Sequence, residues 1–204
     1  MTSTEKRLPG RCILRIRPKE YLMQGPSHCG AYSVKGVLSA YGLDRKTQAK
    51  EYHTRLFGRI TGTTLSRQYW PKVLKAHGIK AEIKSAEKLS DEERLQVIKQ
   101  LIAKGTPVMI LIGNGYYRGT KYKPWLGKIV SHWITVYGYN DDARRFYIYD
   151  SALHKKHWKI NQPIGNTSRS YSEMLRDWNI GKWQFWTWPV TEGHTHSYIE
   201  IASI

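Results

Sequence analysis

The chain has 204 residues, 40% of them hydrophobic and 24% charged, with 33 Lys and Arg against 16 Asp and Glu, for a formal net charge of +17. This length and apolar share support a full hydrophobic core in a single domain over residues 1–204, and they exclude a disordered chain. Two cysteines, Cys12 and Cys29, exclude a disulfide framework. A single Cys12–Cys29 bridge is compatible with the count but would silence both thiols.

The positive charge implies attraction to something anionic: nucleic acid, a membrane surface or a cell-wall polymer. The basic residues are spread along the chain, densest at Lys121 to Lys128 and at His154-Lys155-Lys156-His157. No nucleic-acid motif accompanies them, so a solvated basic surface is the simpler reading. The longest apolar run, Pro107 to Ile112, suits a buried strand and is too short to span a membrane.

Met1 to Pro18 is polar and basic and lacks the hydrophobic stretch of a secretion signal. It is expected to be loosely structured, apart from a short edge strand within Cys12 to Arg17. The expected location is the cytoplasm, or outside the cell by a route without a classical signal. Gln24-Gly25-Pro26-Ser27-His28-Cys29-Gly30 follows as a turn running into a helix. Ala31, Val34, Val37, Leu38 and Tyr41 recur at helical spacing, with Gly42 as the stop. Cys29 therefore sits at a helix N-terminus, where unpaired amides and the positive end of the dipole favour a thiolate. Gln24 supplies a side-chain donor suited to an oxyanion.

Asp44 is placed to cap a second helix through Tyr52 to Phe57. Trp70 to Gly78 reads as a short helix and Ile79 to Lys84 as extended. Ser90-Asp91-Glu92-Glu93 is a capping box opening a helix to Ala103. Thr106 to Ile112 is a strand, and Gly113 to Val130 a long loop rich in Gly, Tyr and Lys. His132 to Tyr139 and Ala143 to Asp150 flank Asn140-Asp141-Asp142 as a hairpin. Further extended pieces are expected at Trp158 to Ile160, Gln184 to Val190 and Ser197 to Ile201, with a helix from Ser170 to Trp178. Helices first and antiparallel strands later give the class α+β.

With the hairpin turn centred on Asp141, His132 and Asp150 are equidistant from it, nine residues to either side. Directly opposed residues share a face, with Cβ atoms about 4.5–5.5 Å apart. A carboxylate so placed fixes the imidazole tautomer, giving a Cys–His–Asp arrangement: Cys29 attacks, His132 moves protons and Asp150 orients His132. This chemistry needs no metal or organic cofactor. His28 sits beside the nucleophile, poorly placed for in-line proton transfer, and reads as a bystander. His194-Thr195-His196 has no Cys or carboxylate neighbour and reads as solvent-facing rather than metal-binding.

Gln24 with Cys29-Gly30 at a helix start, Gly62-Thr63-Thr64 before a helix, and Ala103-Lys104-Gly105-Thr106-Pro107-Val108 leading into a strand form one half of a pattern. His132-Trp133 through Gly138-Tyr139-Asn140-Asp141-Asp142 to Tyr149-Asp150-Ser151 forms the other. Together, over about residues 20 to 190, they resemble the papain-like cysteine peptidase superfamily. The nearest group is similar to the bacteriocin-leader-processing peptidase domain of some ABC exporters. The resemblance implies a papain-like fold, N-terminal helices packed on a C-terminal antiparallel sheet. It assigns nucleophile, base, orienting carboxylate and oxyanion donor to Cys29, His132, Asp150 and Gln24. The Gln24-to-Cys29 interval is one residue shorter than in papain, and double-glycine leader specificity does not carry over.

The expected function is a cysteine peptidase-like hydrolase acting on a peptide, protein or peptidoglycan-like substrate, with the basic surface favouring an anionic one. The alternatives are a cell-wall amidase, deamidase or transglutaminase-like enzyme using the same residues, or a catalytically silent binding module. Tyr116, Tyr117, Tyr122 and Trp125, in the loop before His132, together with Trp133, are candidates to line a substrate cleft. Trp178, Trp183, Trp186 and Trp188 read as packing residues.

Overall fold

Helix α1 (Cys29–Ala40) is buried on nearly every side, because its sequence is almost all small or apolar. Gly30, Ala31, Ser33 and Gly36 let neighbouring elements approach closely. At Gly30 a Cβ would lie 2.2 Å from the Trp70 indole nitrogen, so only glycine fits there. Lys35, also buried, is neutralised by Asp44 at 2.6 Å, and Asp44 further accepts from the Tyr52 hydroxyl. That use of Asp44 explains why it caps no helix. The expected second helix is instead a 3-10 turn (Ala49–Tyr52) followed by α2 (Leu56–Thr61).

The computed structural model describes residues 8–64, 66, 68–116, 121–179 and 196–202. The strands are β1 (Arg11–Ile13), β2 (Ala81–Ser85), β3 (Val108–Gly113), β4 (Ser131–Asn140), β5 (Arg145–Tyr149), β6 (Thr167–Ser170) and β7 (Ser197–Ile201). They form one antiparallel sheet in the order β2-β7-β3-β4-β5-β6, with β1 beside the far end of β4. β1 is the short edge strand expected near Cys12, and both cysteines are free thiols.

Helices α3 (Tyr69–Ala76), α4 (Asp91–Ala103), α5 (Pro124–Ile129) and α6 (Tyr171–Trp178) are the remaining α-helices among the described residues. Alternation along the strands divides the core in two. Met109, Trp133, Ile199 and Ile201 pack with α1 and α3, whereas Ile110, Ile112, Ile134 and Val136 pack with α4 and α6. The fold class is α+β as the element pattern implies, with helices on both faces of the sheet. The capping boxes at Ser90/Glu93 and Ser170/Glu173 both form.

Two further elements differ from expectation. The loop before His132 contains α5, with Pro124 at its first turn. Trp158 to Ile160 is not a strand; a 3-10 turn (Lys155–His157) precedes it, and the strand beside β5 is β6, whose polar Thr-Ser-Arg-Ser sequence carries no apolar alternation. The expected extended piece Ser197 to Ile201 forms as β7, between β2 and β3. The expected strand Gln184 to Val190, with Trp183, Trp186 and Trp188, lies outside the described residues.

Adding a methyl at Gly30 forces α1 and Trp70 apart. Gly30→Ala is therefore expected to lose about 1–3 kcal/mol of stability by overpacking, read as a lower urea midpoint with an unchanged m value.

Candidate functional site

Cys29 is the first residue of α1, and no acidic side chain occupies the first turn to neutralise the helix end. The preceding His28 has left-handed backbone angles (φ 76, ψ 18), a conformation that costs a non-glycine residue about 1 kcal/mol or more. Its ring is held at both nitrogens, Nδ1 by the Ser27 hydroxyl at 2.7 Å and Nε2 by the Arg59 carbonyl at 2.9 Å. Gly62 packs on the same turn: a Cβ there would lie 2.4 Å from the His28 amide nitrogen. His28 is thus fully committed to shaping the turn that presents Cys29.

His132 lies near the start of β4, buried, with its Nε2 2.8 Å from Asp150 Oδ1. The two are not directly opposed. The turn is Asp141 to Arg144, with Asn140 paired to Arg145, and β4 carries a bulge between Val136 and Gly138. β5 ends with Tyr149 opposite Thr135, so one further step sets Asp150 across from Ile134. His132 is then its diagonal neighbour on the same face, within reach of a long side chain. Asn166 clamps the Asp150 backbone from both sides, accepting its N–H at 2.9 Å and donating to its carbonyl at 2.8 Å.

The Cys29 thiol and the His132 imidazole lie close enough for each to shift the other's titration. With Nε2 held by Asp150, Nδ1 is the nitrogen left for sulfur. Burial pushes the Cys29 thiol up, but the hydrogen bond and charge of His132 and the backbone amides of Trp133 and Gly30 outweigh it, and the thiol falls below its ordinary value. Burial likewise opposes a charge on His132. The Asp150 carboxylate, through charge and hydrogen bond, and then Cys29 reverse this and lift the imidazole from 6.5 to about 9. Asp150 would be raised by burial, yet His132 and Arg169 hold it well below the carboxylate range. The shifts run in the direction of a thiolate beside an imidazolium beside a carboxylate.

Gln24 is buried next to this group. Its N–H donates to the Ser151 carbonyl at 2.8 Å, and its Oε1 accepts from the Ser151 hydroxyl at 2.6 Å. The carboxamide is thereby oriented, with its NH₂ the end left to donate. A groove of about 390 Å³ is lined by Leu22, Met23, Gly25, His28, Tyr32 and Ala49, among others. Trp125 stands 58% exposed on α5, whereas the Trp133 indole is 8% exposed and packed in the core against α1. What Trp133 brings to the site is its backbone amide. Tyr117 lies outside the described residues, as do His194 and Thr195. His196 is buried against Trp178 rather than solvent-facing.

The sequence reading missed Arg169. Its Nη2 donates to Asp150 Oδ2 at 3.1 Å, and its Nη1 pairs with Asp177. An arginine in a polar four-residue strand gives no local signal; only a basic residue interrupting an otherwise small, strand-like run hints at burial. Among the described residues no cluster of three or more His, Cys, Asp or Glu is placed to hold a metal ion.

A sequence model of the Peptidase_C39 like family matches residues 15–178. The chain belongs to that family. No curated protein matches it by sequence. Among solved structures, it is similar to a double glycine motif protease from an AMS/PCAT transporter in complex with the leader peptide, at 16% identity and TM-score 0.51, covering 94% of this chain and 96% of that one. It is also similar to UfSP from C. elegans, at 13% identity and TM-score 0.53, covering all of this chain but 36% of that one. These likenesses show a papain-like fold. With the Peptidase_C39 like assignment they place the chain among proteins of cysteine-peptidase type.

The pH behaviour of the pair follows from its shifts. His132 is raised above its usual 6.5, so its contact contributes stability that is fully present below pH 6.5 and lost as pH rises through about 9. Asp150 is depressed below 3.8, so its contribution is present above that pH and lost in acid. Ring ¹⁵N chemical shifts at pH 7.5 are expected to show His132 protonated. His53, lowered to about 4 by burial and by the charges of His28 and Arg59, is expected to be neutral at the same pH.

Proposed function

We propose that this protein is a cysteine peptidase that cleaves an amide bond through a Cys29 acyl-enzyme. The observation that carries the reading is a buried imidazole 2.8 Å from a buried carboxylate and electrostatically coupled to a sulfur at a helix N-terminus. The Cys29 thiolate attacks the substrate carbonyl carbon. The oxyanion that forms is met by the Cys29 backbone N–H and the Gln24 NH₂. The His132 imidazolium gives its proton to the leaving nitrogen as the C–N bond breaks, leaving a thioester and a neutral imidazole. The imidazole then takes a proton from water, hydroxide attacks the thioester, and the acid product departs as the thiolate is restored. Asp150 keeps Nε2 occupied throughout, so Nδ1 faces the reaction.

A peptide substrate agrees with the leader peptide bound to the similar transporter protease. The groove along Leu22, Met23 and Tyr32 and the exposed Trp125 on the His132 side are where an extended peptide would lie, and the net charge of +17 favours acidic residues in it. Trp125→Ala is expected to raise KM several-fold with little change in kcat.

The decisive test is selective alkylation of Cys29 by iodoacetamide. Rapid modification at pH 6 to 7 that falls on the order of 10²-fold in His132→Ala is expected from an activated thiolate. Modification only in the alkaline range of an ordinary thiol, indifferent to His132, would mark a silent binding module instead. Cys29→Ala is expected to abolish peptide cleavage while leaving the unfolding midpoint close to that of the parent.

A further inference from the structure

Asp150 has two carboxylate oxygens, and the reaction proposed above uses one. Oδ1 faces His132 and also accepts the Ala152 N–H at 3.0 Å; Oδ2 is taken by Arg169 Nη2 at 3.1 Å. Arg169 comes from β6, is 5% exposed, and turns its other terminal nitrogen to Asp177 on α6, which is 2% exposed. Asp177 in turn accepts from Arg176 Nε at 2.8 Å. From the sulfur outward, charge alternates: Cys29, His132, Asp150, Arg169, Asp177, Arg176. The outer end is covered by tyrosines, with Arg169 over the Tyr116 ring at 5.4 Å and Arg176 over the Tyr122 ring at 3.5 Å.

A buried arginine bridging two carboxylates needs a planar fork with separate donors, which lysine does not provide. The groups facing this chain are few. Asp150 meets His132 from β4, Arg169 from β6, and Asn166 and Ala152 through the backbone. Arg169 meets Asp150 and Tyr116, with Glu173 and Asp177 from α6. Asp177 meets Arg169, Arg176 and Tyr122. None of Arg169, Asp177 or Arg176 is a candidate to touch substrate.

We infer that Arg169 is a positioning residue for the proposed reaction, holding Asp150 ionised and turned to His132, and that Asp177 sets the strength of that hold by sharing the guanidinium. This rests on the Cys29–His132–Asp150 reading. It has a signature that simple packing lacks: the two residues act on the imidazole with opposite sign. Losing the Arg169 charge leaves the site more negative, which favours imidazolium and disfavours thiolate, so both limbs of the pH profile move up. Losing the Asp177 charge leaves the guanidinium less neutralised, and both limbs move down.

The experiment is the rate of Cys29 alkylation by iodoacetamide from pH 4.5 to 10, on the full chain and on Asp177→Asn, Arg169→Gln and Arg169→Lys, with unfolding midpoints alongside. Asp177→Asn is expected to shift both limbs down, and Arg169→Gln to shift them up, each by roughly half a pH unit or more. Arg169→Lys keeps the charge and loses the fork, so its limbs stay near the parent's while the maximal rate drops. If Arg169→Gln does not fold, the near-isosteric Asp177→Asn decides alone. Limbs that stay fixed while rates and midpoints fall, or that move in one direction in both variants, overturn the inference while leaving the activated thiolate intact. A parent protein whose Cys29 alkylates only like an ordinary thiol removes the underlying reading, and the positioning role with it.

Discussion

The hydrogen bond between His132 and Asp150 is the contact on which the site depends. Burial alone works against every member: it discourages a thiolate, an imidazolium and a carboxylate alike. What makes three charges tolerable inside the protein is that each has an opposite neighbour and a hydrogen bond to it. The requirement then propagates. Asp150 needs Arg169, and Arg169 needs Asp177, so β6 and α6 become part of the site's foundation although they bring nothing to the reaction itself. An exposed His–Asp pair would need no such support, and would do correspondingly less to the imidazole.

Much of this was legible in the chain. α1 announces itself by apolar spacing and the Gly42 stop, and the hairpin by its β-rich arms around Asn and Asp, so Cys29, His132 and Asp150 stand out as a set. What failed was geometry that depends on distant partners. A turn centred on Asp141 assumed equal arms, whereas the actual turn runs to Arg144 and β4 carries a bulge. Trp133 sits beside His132 in sequence, but strand alternation sends its indole to the opposite side, into the core under α1. Arg169 was invisible because its meaning lies in two carboxylates from other elements. Pro124 at the start of α5 was a readable helix signal, overridden by the Gly and Lys around it.

The same pairing changes how the net charge reads. Several of the few acidic side chains are taken up by basic partners: Asp44 by Lys35, Asp141 by Lys99 at 2.7 Å, and Asp150 and Asp177 by Arg169. Their partners are among the most buried basic residues. The surface facing an incoming ligand is therefore more one-sidedly basic around its remaining lysines and arginines than a uniform spread would give. These include Lys50, at the groove that His28 and Tyr32 help to line.

The bulge at Tyr137 carries a constraint on how this hairpin can change. From Asn140 to Gly138, partner residue numbers across β4 and β5 add to an odd total; beyond Tyr137 they add to an even one. His132 and Asp150 carry numbers of the same parity, so they come to the same side only in the even register. The four-residue turn alone would have sent the carboxylate to the back of the sheet, and the surplus tyrosine brings it round again. Turn and bulge are thus a matched pair: at this spacing of His132 and Asp150 along the chain, a hairpin whose turn takes one residue from a strand, or gives one back, can dispense with the extra residue, and one that keeps this turn must keep it.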